Sequence, residues 1–277
     1  MIQQFFAQNG LSASNMLLDR VPNAGLALSL RKLSAYYLGP AIKVRRSSDN
    51  SETNIGFDVN GNLNVAQLSA FLGTSTGYIS YWYDQSGNGN HATQPILVNQ
   101  PTIAINASGN YSAIQFNASS LQFFNLINTL TYSNGYSACY ILKKQNQNNA
   151  MEPLGNSTSN AVYNEWDASG NLSFSQGTTN PNLSYGYFSY SPLLSTSLTL
   201  LALFTNRIYN SGNSTLYFNN PLSVNMGTGT QPRSIFDRVG YGNNTCSTGF
   251  IFEIAVWDGY SNGESAIISN QKTFYNI

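Results

Sequence analysis

The pattern that most constrains this chain is the recurrence of short strand-like runs between turn-forming residues. Runs of alternating or apolar residues at 111–116, 136–142, 198–204, 215–218 and 250–257 are separated by clusters of Gly, Asn, Ser and Pro. Regularly spaced short strands with turn signals between them are typical of all-β sandwiches. A chain of 277 residues fits one large all-β domain. The sequence therefore predicts an all-β, two-sheet jelly-roll sandwich.

A few segments depart from the strand pattern and predict short helices. Residues 26–38 carry apolar residues at helical spacing, and Pro40 ends the run. Asn64 opens a capping-box pattern that predicts a short helix closed by Gly73. A second capping box at residues 261–264 predicts a final helix that runs to about residue 272.

The domain organisation follows from where the strand pattern begins. Residues 23–277 show no run of linker composition and no internal repeat, so they predict a single sandwich domain. Residues 1–22 precede the pattern and predict an N-terminal arm that docks to a partner.

Composition excludes several classes of partner. Only 9% of the residues are charged, and twelve basic side chains balance twelve acidic ones. No net field attracts nucleic acid or an anionic membrane. No apolar run is long enough to span a bilayer, and the N-terminus lacks the pattern of a signal peptide. Asn, Ser, Thr, Gln and 18 Tyr supply the polarity, and such a neutral surface predicts an exterior protein, either on a virion or secreted or at a cell surface.

One segment combines turn formers with groups that can carry chemistry. The alternating aromatic run at residues 78–83 predicts a strand, and it leads into Asp84, Gly87, Asn88, Gly89 and His91, where His91 is the one histidine of the chain. Asp84 and His91 could form a catalytic dyad. The alternative is a structural turn in which Asp84 accepts backbone amide hydrogens around Gly87 to Gly89 while His91 packs at the strand edge. Turn geometry alone accounts for the Gly and Asn residues, so the structural interpretation is favoured.

Three blocks of sequence resemble a known family. The segments at residues 25–33, 39–49 and 83–91 are similar to the catalytic domain of the α-L-arabinofuranosidase B family, glycoside hydrolase family 54. The C-terminal segment at residues 249–253 is similar as well. The resemblance covers most of residues 24–277 and implies a concanavalin/LamG-like β-sandwich. The opening block also resembles phage virion components.

The same resemblance implies that the family's catalytic carboxylates are missing. A retaining glycosidase needs two carboxyl groups about 5–5.5 Å apart. The family's nucleophile position falls on Ser169 and its acid/base position on Gly242. Glu165 and Asp167 are the nearest carboxylates that could replace the nucleophile. These two changes predict that the chain is not an enzyme and has no catalytic residues.

The remaining charged candidates are interpreted as structural. Arg45 and Arg46 predict buried salt bridges, with Asp84 as a partner, although an anionic sugar is an alternative ligand. Asp49, Glu52 and Asp58 are close enough in sequence to suggest calcium, but no ligand spacing supports a metal site, so no cofactor is predicted. Cys139 and Cys246 are interpreted as two buried thiols rather than a disulfide.

Aromatic residues near the middle of the chain suggest a carbohydrate site. Sugars stack on aromatic rings while polar side chains fix their hydroxyl groups. The segment 180–192 looks like a long loop rich in Tyr, Ser and Asn, although its alternating tyrosines would equally suit a strand that covers the core. The candidate carbohydrate-binding residues are Tyr163, Trp166, Asp167, Tyr185, Tyr187 and Tyr190.

Two functional classes follow from these features. The first is a non-enzymatic, lectin-like structural protein of a phage or virus particle, such as a spike, fibre tip or surface decoration. It would either bind host surface glycans or simply form the exterior of the particle. It would be a homo-oligomer, joined to other virion proteins through the N-terminal arm. The second is a glycoside hydrolase of arabinofuranosidase type that acts on polysaccharide. The sequence favours the first class because of the residues at 169 and 242.

Overall fold

The structure, a computed structural model, describes twelve ranges of the chain. They are residues 15–132, 136–146, 149–157, 162–166, 171–176, 187–189, 199–205, 214–218, 220–224, 234–242, 245–259 and 263–277. The described strands are β1 (Ala24–Ser29), β2 (Ile42–Arg46), β3 (Glu52–Ile55), β4 (Gly77–Trp82), β5 (Ala92–Thr93), β6 (Thr102–Ser108), β7 (Tyr111–Phe116), β8 (Phe124–Tyr132), β9 (Tyr136–Lys144), β10 (Met151–Gly155), β11 (Val162–Trp166), β12 (Asn171–Gln176), β13 (Tyr187–Ser189), β14 (Thr199–Thr205), β15 (Ser214–Phe218), β16 (Asn220–Val224), β17 (Ser234–Val239), β18 (Tyr241–Gly242), β19 (Thr245–Cys246) and β20 (Gly249–Asp258).

Few helices accompany the strands. The described helices are α1 (Leu17–Arg20), α2 (Val65–Leu72) and α3 (Glu264–Tyr275), with 3-10 turns at Leu97–Asn99 and Ala118–Ser120. None of these helices has the length and apolarity that crossing a membrane requires.

Eighteen of the described strands pair antiparallel in one curled sheet that folds over itself, and β18 and β19 pair in a separate two-stranded sheet. One half runs β1-β20-β9-β14-β15-β16. The other half runs β4-β5-β8-β17-β10-β11-β12-β13, with β2 and β3 beside β4. Strands β6 and β7 connect β4 with β20. The prediction of an all-β sandwich with a few short helices, one of them C-terminal, is confirmed.

The predicted helix at residues 26–38 is wrong, because this segment begins as strand β1. The strand is covered on both sides, so its residues are almost all apolar and mimic a helical pattern. Leu26 and Leu28 point into the larger hydrophobic cluster between the sheet halves. Ala24 and Ala27 belong to the second cluster, on the opposite face.

The second hydrophobic cluster accounts for the positions of α1 and α3 on the outside of the sheet. Leu17 of α1 and Ile267 of α3 are fully buried in it, against Phe252 of β20 and Ile141 of β9. Burying one such side chain stabilises the fold by about 1.5–3 kcal/mol. The helices therefore cover the outer face of β1, β20 and β9.

The two predicted helix starts have different outcomes. Asn64 caps α2 as predicted, since its side chain accepts the Gln67 amide hydrogen at 3.0 Å, and Gly73 is the C-cap with φ 57°. Helix α3 begins at Glu264 after the N-cap Gly263, which provides no side-chain cap. The rest of the predicted second capping box, Ser261 and Asn262, lies outside the described residues.

The segment that leads into β1 is packed against the domain from residue 15 onward. Leu17, Leu18 and Val21 are buried, and Trp257 Nε1 donates to the Val21 carbonyl at 3.2 Å. Residues 1–14 lie outside the described part of the chain. Docking of a partner through residues 1–22 stays a prediction.

Candidate functional site

The Asp84 carboxylate organises the turn that follows β4. Its Oδ1 accepts the amide hydrogens of Ala27, at 2.8 Å, and Ser86, at 3.0 Å. Its Oδ2 accepts the Asn90 amide hydrogen at 2.9 Å. Only 2% of Asp84 is exposed, and both carboxylate oxygens are occupied by backbone amides of the protein itself. The amides that it binds flank the Gly87–Gly89 turn and include one from β1, which fixes β1 to the corner.

The other residues of this turn, Gly87 to Asn90, also hold it against the start of β1. Gly87 and Gly89 have φ angles of 91° and 71°, which other residues adopt only with strain. The side-chain amide of Asn88 donates to the Ala24 carbonyl at 2.8 Å, and that of Asn90 donates to the Gly25 carbonyl at 2.7 Å. These bonds tie the turn to the start of β1.

His91 contributes an acceptor to this corner. Its Nδ1 accepts the Asp84 amide hydrogen at 3.0 Å, so the ring nitrogen that faces Asp84 carries no proton. The ring also packs edge-on against Tyr83, with centroids 5.2 Å apart. His91 therefore bonds to the backbone of Asp84 and not to its carboxylate, which leaves no catalytic dyad. The geometry supports the structural interpretation of this turn.

The predicted pairing of Arg45 or Arg46 with Asp84 is not what the structure shows. Arg45 is buried, and its Nε donates to Gln100 Oε1 at 2.7 Å. Arg46 pairs instead with Asp49 at the surface, with Nη2 2.6 Å from Oδ2. The Asp84 carboxylate already accepts three backbone amides, which stabilise its charge without an arginine.

The carboxylates considered for calcium have local structural roles. Hydrogen bonds from Arg46, followed by the Ser51 amide, hold the pKa of the Asp49 carboxyl well below its usual range. Asp58 Oδ1 accepts the amide hydrogens of Asn60 and Asn62, both at 2.9 Å. Within the described ranges, no three His, Cys, Asp or Glu side chains lie together as a metal site would need.

The residues predicted to bind carbohydrate are described only in part. Tyr163 and Trp166 lie in β11 and Tyr187 opens β13, whereas Asp167, Tyr185 and Tyr190 lie outside the described residues. The region 180–192 thus includes a short strand, at residues 187–189. Carbohydrate binding by these residues stays a prediction.

Strand register divides this candidate set between the two faces of the sheet. Glu165 of β11 is opposite Ser173 of β12, and Ser173 is opposite Tyr187 of β13. Residues directly opposite each other share a face, as do residues two apart along a strand. Positions 163, 165, 173 and 187 therefore share one face, and position 166 belongs to the other.

The same register brings two glutamate positions close together. Strands β10 and β11 pair Met151 with Trp166 and Leu154 with Asn164, with an irregularity between the two pairs. Glu165 therefore lies across from the Glu152–Pro153 step of β10. Opposite Cβ atoms in an antiparallel pair are about 4.5–5.5 Å apart. Glu152 was not among the candidates predicted from the sequence. It is a fully buried glutamate, and its position among apolar residues of a strand is unusual for this residue type.

Gly242, where the resemblance places the family's acid/base, lies against β10. A Cβ on Gly155 would fall 2.7 Å from Gly242 Cα and closer still to the Tyr241 carbonyl oxygen. Glycine at 155 therefore allows β18 to cross directly over β10. Ser169, the other position that the resemblance singles out, lies outside the described residues.

Polar and aromatic groups lie around the point where β18 crosses β10. None of them was predicted as a site residue from the sequence. Asp237 of β17 accepts the Ser157 amide hydrogen at 2.8 Å. The next residue, Arg238, lies over the Phe123 ring at 4.4 Å and near the Tyr241 ring at 5.2 Å. Such pairs of a guanidinium with aromatic rings form only after folding, so no local sequence pattern marked them.

The two cysteines are buried free thiols, as the sequence predicted. Burial raises the pKa of Cys246 to about 11, and the nearby charges of Arg238 and Glu152 act in opposite directions on it. Burial also raises the pKa of Cys139 well above its usual range. Neither thiol is suited to act as a nucleophile at neutral pH.

Comparison with known proteins shows where this chain is similar to others. A family model described as "Alpha-L-arabinofuranosidase B, catalytic" matches residues 21–122. A probable alpha-L-arabinofuranosidase B from Aspergillus terreus is 43% identical over 65 residues, which are 23% of this chain and 13% of that protein. An alpha-L-arabinofuranosidase from Hypocrea jecorina is 44% identical over 64 residues, with the same shares of 23% and 13%.

Solved structures extend the similarity of fold beyond the matched segment. A family 54 α-L-arabinofuranosidase soaked with a cyclic sulfate inhibitor has a TM-score of 0.59 at 19% identity, covering 89% of this chain and 62% of that one. An arabinofuranosidase complexed with arabinofuranosyl-alpha-1,2-xylobiose has a TM-score of 0.57 at 18% identity, with the same shares of 89% and 62%. The chain thus shares the β-sandwich fold of these proteins and spans less than two thirds of their length.

These comparisons overturn the prediction of a lectin-like structural protein on a phage or virus particle. The matched family model, the two fungal relatives and the two solved structures described above are of arabinofuranosidases. The predicted virion class is therefore wrong. A virion location finds no support, whereas the fungal relatives fit the alternative of a secreted protein. A neutral surface rich in Asn and Tyr reflects contact with an aqueous exterior, and secreted enzymes meet that condition as well as virions do.

The prediction that the chain is not an enzyme is wrong for the same reason, since the comparisons point to a glycoside hydrolase. That prediction relied on the residue types at positions 169 and 242. Glycoside hydrolysis depends on the separation of two carboxyl groups and not on their place in the sequence. Two carboxylates that are opposite each other on adjacent strands can have their carboxyl groups at that separation, wherever they stand in the sequence.

Proposed function

We propose that this protein is a glycoside hydrolase of arabinofuranosidase type, which removes arabinofuranosyl units from polysaccharide. The observation that carries the proposal is the placement of Glu165 opposite the Glu152–Pro153 step, within a fold shared with arabinofuranosidases. The family match over residues 21–122 and the two fungal relatives support the same class. A polysaccharide substrate also suits a secreted or cell-surface location.

The chemistry requires one carboxylate as nucleophile and one carboxylic acid as proton donor. In a retaining mechanism the nucleophile attacks the anomeric carbon while the acid protonates the leaving oxygen, and the two carboxyl groups are about 5–5.5 Å apart. Opposite residues of adjacent antiparallel strands have Cβ atoms about 4.5–5.5 Å apart, which allows two glutamate carboxyl groups to reach this separation. We assign Glu165 as the nucleophile and Glu152 as the acid/base in this proposal, with Asp167 as the alternative nucleophile.

The register of β11, β12 and β13 also supports a sugar-binding surface beside these carboxylates. Positions 163 and 187, both tyrosines, share a face of the sheet with position 165, and positions 173 and 175 between them are serines. Aromatic rings next to small polar residues suit an apolar sugar face with hydroxyl groups at its rim. Tyr163 and Tyr187 would therefore bind the sugar next to the bond that is cleaved.

Activity on 4-nitrophenyl α-L-arabinofuranoside tests the proposal. The full chain should release nitrophenol, and Glu165→Gln and Glu152→Gln should each lower kcat by at least about a thousandfold, because each removes a group that acts only in the transition state. The matched control is Glu52→Gln, an exposed glutamate of β3, which should retain activity. Thermal melting of each variant separates loss of chemistry from loss of fold.

Two results would contradict parts of this proposal. If Asp167→Asn loses activity while Glu165→Gln retains it, the nucleophile is Asp167. If the wild-type chain shows no turnover above buffer on this substrate or on arabinan, the hydrolase proposal fails.

A further inference from the structure

A cavity of about 530 Å³ lies between the N-terminus of α2 and the C-terminal end of α3, and it shares no residue with the carboxylate region described above. Its volume falls in the range of small-molecule sites, about 300–1,000 Å³. Its walls come from four separate segments of the chain. Its lining residues include Arg31, Asp58, Asn62, Ala66, Tyr111 and Phe274.

The floor of this cavity carries a buried guanidinium with one unused nitrogen. Arg31 is only 6% exposed, and its Nε and Nη2 donate to Glu253 at 2.7 and 3.0 Å. Nη2 also donates to Asn270 Oδ1 at 2.7 Å. In the part of the chain that the structure describes, Nη1 has no acceptor. Because Arg31 lines the cavity, this nitrogen can donate to a ligand acceptor there.

A second lining residue, Asp58, has a carboxylate with the complementary unused atom. Asp58 Oδ1 accepts the amide hydrogens of Asn60 and Asn62, which fixes the side chain in place. Among the described residues, Oδ2 has no donor. The cavity thus offers one fixed donor, at Arg31, and one fixed acceptor, at Asp58.

Charge and shape restrict which ligands fit these two groups. Glu253 compensates the charge of Arg31, so Asp58 leaves the cavity with net negative charge and disfavours anions. The rings of Tyr111 and Phe274, whose centroids are 5.6 Å apart, form an apolar wall. The exposed amide of Asn62 adds further hydrogen-bonding groups at the mouth.

We propose that this cavity is a second carbohydrate-binding site, which takes one neutral sugar unit. One sugar hydroxyl accepts from Arg31 Nη1, a second donates to Asp58 Oδ2, and the ring lies against the aromatic wall. Neutral sugars combine these features, because they carry neighbouring hydroxyls on a ring with an apolar face. The proposal does not depend on hydrolytic activity, since binding here requires no chemistry at the carboxylates.

Saturation-transfer NMR and calorimetry with L-arabinose and D-xylose test this site. We expect saturable binding of at least one of them, with a dissociation constant on the order of 1 mM. Asp58→Asn keeps the Oδ1 acceptor for the turn but removes Oδ2, so affinity should fall at least about tenfold. Ala66→Phe, at an exposed position of the wall, should block the cavity and abolish this binding.

The matched control is Ala70→Phe, an exposed alanine of the same helix that does not line the cavity, and it should bind as the wild type does. Sugar bound at the carboxylate region would persist in all of these variants, and turnover of 4-nitrophenyl α-L-arabinofuranoside should be unchanged. Three results would overturn the proposal: no saturable binding by the wild type, undiminished binding by Ala66→Phe, or equal loss in Ala70→Phe. Preference for D-galacturonate over both neutral sugars would overturn the assigned ligand class.

Discussion

Arg31 and Glu253 are 222 residues apart in the sequence, yet Arg31 Nε lies 2.7 Å from Glu253 Oε2 and both side chains are buried. The bond connects the end of β1 with β20, and α3 covers it through Gln271 and Tyr275, whose side chains also donate to Glu253. Burial disfavours the charge of Arg31, but Glu253 outweighs this effect and raises the pKa of the guanidinium. The pair therefore links the segment after β1, near the beginning of the domain, to β20, near its end.

Glu253→Gln should destabilise the protein strongly. The substitution leaves the Arg31 charge buried and unpaired, which typically costs about 3–5 kcal/mol. Urea denaturation measures the free energy of unfolding. The matched control is Asp49→Asn, which breaks an exposed ion pair with Arg46 and should leave that free energy nearly unchanged. Similar effects of both substitutions would contradict the structural role of the buried pair.

Asp84→Ala should lower the free energy of unfolding by an amount on the order of 3 kcal/mol. The reason is that three backbone amides, those of Ala27, Ser86 and Asn90, lose a charged acceptor in a buried corner. Asp84→Asn keeps one carbonyl oxygen and should lose less. Chemical denaturation and enzyme assays on the folded fraction provide the measurement. If Asp84→Asn folds normally and abolishes turnover, Asp84 is catalytic and the structural assignment is wrong.

Gly155→Ala should disrupt the crossing of β10 and β18. The added methyl group would clash with backbone atoms of Tyr241 and Gly242, which cannot move aside as a flexible side chain would. We expect a loss of roughly 1–3 kcal/mol, as for other overpacked sites, together with reduced hydrolysis. Gly56→Ala is the control, because nothing lies within 4 Å of its Cβ position. Unchanged melting of Gly155→Ala would contradict this close approach.

The two thiols should make the protein less stable at alkaline pH. Burial raises the pKa of Cys246 to about 11 from an ordinary value of 9.0, and it raises the pKa of Cys139 further. Above about pH 9 the unfolded chain releases these protons while the folded protein retains them, so stability falls as pH rises. The slope reaches at most about 1.4 kcal/mol per pH unit for each thiol.

Denaturation between pH 8 and 10.5 measures this effect against a Cys139→Ala/Cys246→Ala variant, which should show a shallower decline. Thiol labelling at pH 8 provides a second readout, since both cysteines should react only after unfolding. Rapid labelling of the native protein would show that the thiols are accessible and would contradict their burial.

Local patterns predicted the strands, the cap at Asn64 and the role of the Asp84 turn, because each depends on residues within a few positions of one another. The pattern at residues 26–38 wrongly predicted a helix, because a strand buried on both faces has no polar alternation to distinguish it from a helix. The additional prediction that Arg45 or Arg46 pairs with Asp84 was wrong, because both an arginine and a backbone amide can stabilise a carboxylate and the sequence does not show which one is near.

The fold class, the position of the main turn and the resemblance to arabinofuranosidases in the first part of the domain could thus be recognised from the sequence. Which groups meet became clear only in the folded protein. The tertiary structure placed Glu165 opposite the Glu152–Pro153 step, paired Arg31 with Glu253, and left Arg31 Nη1 and Asp58 Oδ2 unused in one cavity. The physical reason is that these contacts depend on strand register and sheet closure, which arise from packing over distances of up to 222 residues.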